Sequence, residues 1–414
     1  MKQILDIKYQ VARLSIVTLV FDHAFSLGKF ISLPIFFSVC FLFFNALDIS
    51  KKNYSINVIL SLVFFLLFIT FANTINAINI SDTTEFLQGY RLFFYVSYFI
   101  FFSSVLCKVY SVHQVIEWLY ISFIIATVFG LIYFVLQNFI GIDLDLYIYR
   151  PSVIENSGSV SSTLRNRSFF EEAGNFSFYL NLVFPIILFC LKDKKEKFKL
   201  FFVFILYFLS VLSTFSAAGI VVFLVISILL SIRKQVVSGV NISNYFRLLT
   251  ASVFIVIFYL YLQGNEFVNF ALNKILNKIL FNAASSESAS ARLDGYSVGF
   301  EYINNLYTSG NYFSLLFGSG TGATKFLFNI SIVSGQLVLL IEQGILFMLC
   351  FYLLFFAFTY YAYIKSHHII YYSGLTFFIY QFSITNYSSM FVVVCLYLLL
   401  EITREKTNYH NCML

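Results

Sequence analysis

The chain runs to 414 residues, 60% of them apolar and only 11% charged, with a mean hydropathy of +0.85. Soluble globular chains carry about 25% charged residues, so a soluble globular domain is excluded. The net charge of +6 includes no basic run set in a nucleic-acid-binding module, which excludes nucleic acid as a partner.

The expected class is therefore an all-α polytopic integral membrane protein, a single membrane domain over 1–414. At about 20 apolar residues per crossing, spans fall near 10–28, 31–49, 55–73, 91–107, 116–139 and 174–191, then near 198–214, 216–232, 247–263, 337–364, 369–386 and 388–403. That makes about 12 transmembrane helices with both termini on the cytoplasmic side. Charge supports the parity: internal turns hold most of the Lys and Arg, including the KDKKEK run at Lys192–Lys197. The first span is the weakest because it carries Asp22 and His23; Asp22 is a default candidate for a proton or ion path, or it reaches water at the outer end. The six cysteines lack CxxC spacing and read as buried fillers, with no disulfide or zinc site implied.

Two external segments are too long for simple turns, 141–173 and 263–335. The second opens with a helical stripe of Val268, Leu272, Ile275, Leu276 and Ile279 opposite Asn and Lys residues, an amphipathic helix expected to lie along the outer leaflet. A second helix is expected from Arg292 to Leu306, then a glycine-rich turn from Leu315 to Gly322. Of the prolines, Pro185 is expected to kink the sixth span, its freed carbonyl met by a neighbouring helix or a Ser or Asn side chain.

The stretch from Arg165 to Leu191, RNRSFFEEAGNFSFYLNLVFPIILFCL, carries the chemistry. Ionised groups at the lip of a hydrocarbon slab need a partner, a ligand or water. A guanidinium is planar, always charged and binds phosphate through two parallel hydrogen bonds. Arg165, Arg167 and Arg292, drawn from the two long loops, thus form a candidate pyrophosphate site; the structural alternative is that they meet anionic lipid or pair with Glu171, Glu172, Asp143 or Asp145. Adjacent glutamates ahead of a helix point in different directions. One can orient or deprotonate a sugar hydroxyl, while the other, Glu171 on the bland reading, favours the helix N-terminus through its dipole. Gly174 permits close backbone approach. Asp143-x-Asp145 has a spacing found at metal sites, but as a pattern it is weak and reads as surface aspartates. No metal and no cofactor are expected. No histidine falls in either long loop, and Ser213, Thr214, Ser216 and Gly219 read as close-packing residues between two spans.

Phe170-Glu-Glu-Ala-Gly-Asn-Phe176, running into an apolar span, resembles the F-x-E-P-G-x-F block of bacterial O-antigen polymerases (Wzy-type) and of the wider O-antigen ligase and polymerase superfamily. Glu172 is the matching glutamate and Gly174 the matching glycine. Ser290-Ala-Arg292, Leu316-Phe-Gly318-Ser-Gly320 and Leu340-Ile-Glu342-Gln-Gly344 look like the superfamily's later blocks in the same order. Two departures stand out: Ala173 replaces the usual proline, and no arginine follows Ser216. The resemblance implies a glycosyltransferase C-like bundle in the bacterial inner membrane with two large periplasmic loops. It implies a polymerase that joins undecaprenyl-pyrophosphate-linked oligosaccharide repeat units, with Glu172 and Arg292 as catalytic residues. Arg165, Arg167 and Arg292 would bind the pyrophosphate, with Gly174, Gly318 and Gly320 in support. Membrane lipid and a chain-length regulator are the further partners it suggests. Two rival readings remain: the sister O-antigen ligase, disfavoured because the second long loop has no histidine, and a 12-span flippase or transporter of lipid-linked oligosaccharides. A carrier is expected to place paired charges or broken helices near the midplane, and the sequence shows few breakers.

Overall fold

In the computed structural model the described residues are 2–22, 32–45, 83–142, 165–192, 197–232, 287–320, 323–328, 334–364, 368–382 and 389–411, with scattered positions between. They are helical apart from a two-residue ladder, β1 (Val236–Val237) with β2 (Val240–Asn241). The helices are α1 (Lys2–Val17), α2 (Leu33–Phe44), α3 (Thr83–Val109), α4 (Val112–Val135), α5 (Ala173–Lys192), α6 (Lys197–Ser213) and α7 (Ala217–Ile232). There follow α8 (Glu287–Thr308), α9 (Tyr312–Phe317), α10 (Ala323–Leu327), α11 (Gly335–Ile364), α12 (His368–Tyr380) and α13 (Met390–Asn411).

The centre of the bundle is α5. An amphipathic helix buries one stripe, whereas a helix that is apolar all round must be surrounded. In α5, Phe176, Phe178, Tyr179, Leu180, Leu182, Val183, Phe184, Ile186 and Ile187 are all fully buried. Around it pack α4, α6, α7, α12 and α13. Local signals set several ends. Ser111 and Gln114 form a reciprocal capping box at the start of α4, Gln114 N donating to Ser111 Oγ and Ser111 N to Gln114 Oε1. That helix runs on through a π turn, Leu136–Ile140, and stops at Gly141 in the left-handed region.

Pro185 lacks an N–H, so the carbonyl of Asn181, four residues back, loses its helical donor. The neighbouring helix α12 stands against this stretch: Thr376 Oγ1, which donates to Tyr372 O of its own helix at 2.9 Å, comes within 3.5 Å of Asn181 O, and Ser373 Oγ reaches Leu182 O at 3.3 Å. The Asn181 side chain ties three more helices together. Its Nδ2 donates to Tyr380 OH (2.9 Å) and Gly219 O (3.3 Å), and its Oδ1 accepts from Tyr207 OH. Tyr380 OH then donates to Ser177 Oγ, and Ser177 Oγ to Gly174 O.

These contacts sort the helix ends into two groups. The ends of α4, α6 and α12 and the starts of α5, α7 and α13 meet at one end of the bundle. At the other, Tyr9, Phe41, Tyr110 and Trp118 form an aromatic cluster from α1, α2, the α3–α4 turn and α4. The grouping follows the alternation expected from the basic turns.

Two helices, Val112–Ile140 and Gly335–Ala357, are long and apolar enough to cross a membrane, and six more are apolar but shorter. The expected spans near 55–73 and most of 247–263 lie outside the described residues, as does nearly all of the amphipathic stripe at 268–279. Two expected spans need correction. The first is no single helix over 10–28: α1 ends at Val17, a 3₁₀ turn covers Thr18–Phe21, and the chain turns at Asp22. Asp22 takes up structural hydrogen bonds: Oδ1 accepts from Ser32 Oγ (2.9 Å) and Oδ2 from Met390 N (3.1 Å), one of the orphan amides of α13. The other correction is α11, which is divided at Gly344 (φ 79, ψ 171) into a nine-residue piece, 335–343, and a 20-residue piece, 345–364. Only the second, about 30 Å long at 1.5 Å per residue, matches the hydrocarbon thickness.

Gly219 marks the closest approach of α7 to α5, since a Cβ there would stand 2.6 Å from Ser177 Cβ. Gly219→Ala gains up to about 1 kcal/mol of helix propensity but overpacks a joint between two backbones, which costs about 1–3 kcal/mol. The expected net result is a lower thermal midpoint in detergent solution; an unchanged or higher midpoint contradicts the close packing of α5 on α7.

Candidate functional site

The segment Arg165–Glu172 lies where the helix ends meet, and each of its side chains has a side to face. Asn166, Ser168 and Phe170 are fully buried, while Arg165 and Arg167 between them are half-exposed. Asn166 is held at every polar atom of its amide plane. Its backbone N–H donates to Ser213 O (2.9 Å), Nδ2 to Ser213 Oγ (2.8 Å), and Oδ1 accepts from Ser168 N (3.1 Å). Ser168 Oγ donates to Ala126 O in α4. Gly130, one turn along α4 from Ala126, leaves the room: a Cβ there would come within 3.1 Å of both Asn166 and Phe176.

Aromatic anchors complete the fixation. Phe169 stacks on Phe129 at 4.0 Å between centroids, and Phe170 packs among Phe176, Tyr179 and Phe391. With these rings drawn inward, the next two residues are directed away from the core: Glu171 is half-buried and Glu172 exposed. Glu172 stands immediately before α5, its carbonyl accepting from Phe176 N (3.1 Å), so its carboxylate sits at the positive end of the central helix. The two glutamates differ in exposure, as their adjacency requires.

Arg165 Nε donates to Thr214 O (3.2 Å), just past the C-terminus of α6, where a cation suits the helix dipole. Arg167 Nε points to Tyr133 OH at 3.4 Å, a long contact. Among the described residues, the two non-glycine positions with positive φ are Ser168 (φ 47) and Phe215 (φ 45). One follows Arg167 and the other follows Thr214. A left-handed non-glycine residue costs about 1–2 kcal/mol, and such outliers cluster at binding sites where surrounding structure over-determines them. The backbone that presents both arginines is thus held in place at a cost.

Arg292 lies in α8, and its side chain is outside the described residues, as are Asp143 and Asp145. The backbone path nevertheless brings α8 to this end of the bundle. Tyr296, one turn after Arg292, donates its hydroxyl to Phe382 O (2.6 Å), two residues beyond the Tyr380 that holds Ser177 and Asn181 of α5. Expected over 292–306, α8 begins five residues earlier, at Glu287, and ends at Thr308.

Gly318 and Gly320 stand at a second junction. In an unbroken helix the carbonyls of Ile341 and Glu342 would accept from the amides four residues on; here they accept from Ser319 N (2.8 Å) and Gly320 N (2.9 Å) of the turn after α9. Gly318 (φ 85) and Gly344 (φ 79) face each other across this clasp, and a Cβ on either would approach a backbone oxygen to 2.3 Å. The Glu342 carboxylate is buried and accepts from Thr324 Oγ1 and Thr324 N of α10. These glycines therefore shape the support for α8 and α11 and act at a remove from the arginines. One helix break, at Gly344, stands beside the expectation of few breakers. Gly174, the other supporting glycine, has its carbonyl engaged by Ser177 Oγ (2.8 Å).

Sequence reading assigned Ser213 and Thr214 to helix packing, whereas they hold the arginine segment; it assigned nothing to Asn166, Ser168 or Tyr133. Their partners are 34 to 49 residues distant in the chain, and the alternation of basic and small polar residues in Arg-Asn-Arg-Ser is the one local signal. Among the described residues no three His, Cys, Asp or Glu side chains group as a metal site. No model of a known protein family matches the chain, and no curated protein matches it.

Asn166→Ala removes the acceptor of the Ser168 amide and the donor to Ser213 Oγ, which keeps its own bond to Ser210 O, at a cost of about 1–3 kcal/mol. The expected result is a lower thermal midpoint together with faster proteolysis within 141–173, both measured on the purified protein. Gly344→Ala is expected to cut the yield of folded protein severely, read by size-exclusion profile, because neither its φ nor the facing oxygen of Leu316 tolerates a Cβ.

Proposed function

We propose that the protein is a polysaccharide polymerase of the bacterial inner membrane, with both termini cytoplasmic and its arginine-bearing end on the periplasmic face. On this reading it is a glycosyltransferase with a glycosyltransferase C-like bundle, joining undecaprenyl-pyrophosphate-linked oligosaccharide units, as an O-antigen polymerase does. The observation that carries the proposal is the presentation of Arg165 and Arg167, a few residues ahead of exposed Glu172 at one end of an apolar bundle, on a backbone fixed by buried Asn166 and Ser168.

The chemistry follows from those groups. The bond between the donor's anomeric carbon and the pyrophosphate oxygen breaks, and the electron pair stays on the departing oxygen. Guanidinium groups at Arg165 and Arg167, joined by Arg292 from α8, stabilise the charge that develops there, in a setting where fixed donors count for more than in water. The acceptor is a hydroxyl of the incoming lipid-linked unit. It attacks the anomeric carbon as its proton passes to the Glu172 carboxylate. Undecaprenyl pyrophosphate leaves, and an apolar bundle set in lipid gives its tail a place to go. No cofactor enters this scheme.

The broken helix α11 favours a second reading, a carrier of lipid-linked oligosaccharide, since discontinuous helices mark many transporter sites. Purified protein given lipid-linked repeat units separates the two: a polymerase lengthens the glycan and releases undecaprenyl pyrophosphate, and a carrier does neither. The ligase reading would be betrayed in cells by complete loss of glycan from lipid A core when the gene is deleted, where a polymerase leaves one repeat.

In a deletion strain complemented with variants, Arg167→Ala and Arg292→Ala are expected to lower long-chain glycan output by about tenfold or more, as loss of a charged hydrogen bond worth about 1.5–3 kcal/mol implies. Glu172→Gln is expected to do the same without loss of protein. Full-length ladders from well-expressed Arg167→Ala protein overturn the proposal.

A further inference from the structure

On α8, side chains divide among three directions. Tyr296, Gly299, Tyr302 and Ile303 face Leu337, Val338 and Ile341 of α11, the small core of this region. Asp294, Ser297, Glu301, Asn304 and Asn305 are exposed and polar. The third direction is apolar and also exposed: Leu293, Phe300 and Tyr307 recur every seven residues, which keeps them within about 40° on one side of a helix, with Phe300 59% and Tyr307 60% exposed. The strip does not end with the helix. The Tyr307 ring meets Tyr312 edge-on at 6.1 Å, and Phe313 and Leu316 of α9 carry the exposed apolar surface onward.

What covers this strip is indicated by where it leads. The backbone carbonyl of Leu316 lies against Gly344 at the break in α11, so the end of α9 adjoins the start of the second piece of that helix. Directly beyond the break, Leu346, Leu349, Leu353 and Phe356 are exposed along the 20-residue piece long enough to cross a bilayer. Exposed apolar side chains therefore stand on both sides of this joint, on the flank of the 20-residue piece and on α9 and α8. Aromatic side chains with a polar tip, such as Tyr307 and Tyr312, favour the membrane–water boundary.

We propose that α8 and α9 lie in the surface of the phospholipid bilayer, with Leu293, Phe300, Tyr307, Tyr312, Phe313 and Leu316 immersed at the junction of headgroups and acyl chains and Asp294 and Glu301 facing water. The inference rests on the membrane reading made above. It assigns α8 a depth as well as a direction: Arg292 sits at the level of lipid phosphates, the height at which a lipid-linked pyrophosphate stands.

The test uses the full chain in phospholipid vesicles, with Trp118, its single tryptophan, replaced by Phe so that one introduced tryptophan reports alone. If that background misfolds, the wild-type Trp118 signal is subtracted instead. Tryptophan is placed at Phe300, Glu301 or Leu353 and quenched by lipids brominated near the top of the acyl chain or near its middle, and by aqueous iodide. Phe300→Trp is expected to be quenched at least twofold more than Glu301→Trp by the shallow bromines, and Glu301→Trp more by iodide. If Leu353→Trp is quenched by mid-chain bromines while Phe300→Trp responds only to iodide, or to nothing because a protein surface covers it, the placement of α8 is wrong and the membrane reading stands. If no position responds to bromolipid, both are wrong.

Discussion

Buried polar groups that find their partners on neighbouring helices fix the register of this bundle. An unpaired buried amide or hydroxyl costs about 1–3 kcal/mol, and more where no water reaches. Asn181 meets the demand by drawing Tyr207, Tyr380 and Gly219 onto α5 from three helices. Asn166 does the same nearer the bundle end, joining α6 to the segment ahead of α5. Apolar contacts make the helices associate, but they allow sliding and rotation. The hydrogen bonds set a single register, and the register decides which way Arg165, Arg167 and Glu172 face.

Two interruptions of helical bonding show the same constraint met in different ways. At Pro185 the helix continues, with Thr376 and Ser373 of α12 placed beside the carbonyls of Asn181 and Leu182. At Gly344 the helix stops, and the turn after α9 supplies amides to the two carbonyls left open. The first contact joins α12 to α5. The second joins α11 to the segment that carries Arg292, so the two halves of the proposed site are linked through backbone hydrogen bonds as well as through Tyr296.

The proposed chemistry draws on this rigidity. Developing charge on a leaving pyrophosphate is stabilised best by donors already aimed at it, since donors that must reorganise give back much of the gain. Left-handed backbone at Ser168 and Phe215, buried small polar groups and stacked rings all oppose movement of the arginine segment. Glu172, by contrast, emerges at the exposed start of the central helix, where a sugar hydroxyl can reach it.

Composition and period by themselves determined the helical class, the placement of α5, α6 and α7 to within about two residues, and the alternation of the helix ends, because burial of apolar runs and the side preference of basic turns are local properties of the chain. The glutamate pair ahead of α5 was legible for the same reason. The tertiary structure decided what no local pattern encodes. It made Asp22 a cap for α13, divided α11 at Gly344, and gave Ser213 and Thr214 the task of holding Arg165 and Asn166. Each of these depends on a hydrogen-bond partner tens or hundreds of residues away, and such pairings exist only once the helices have come together.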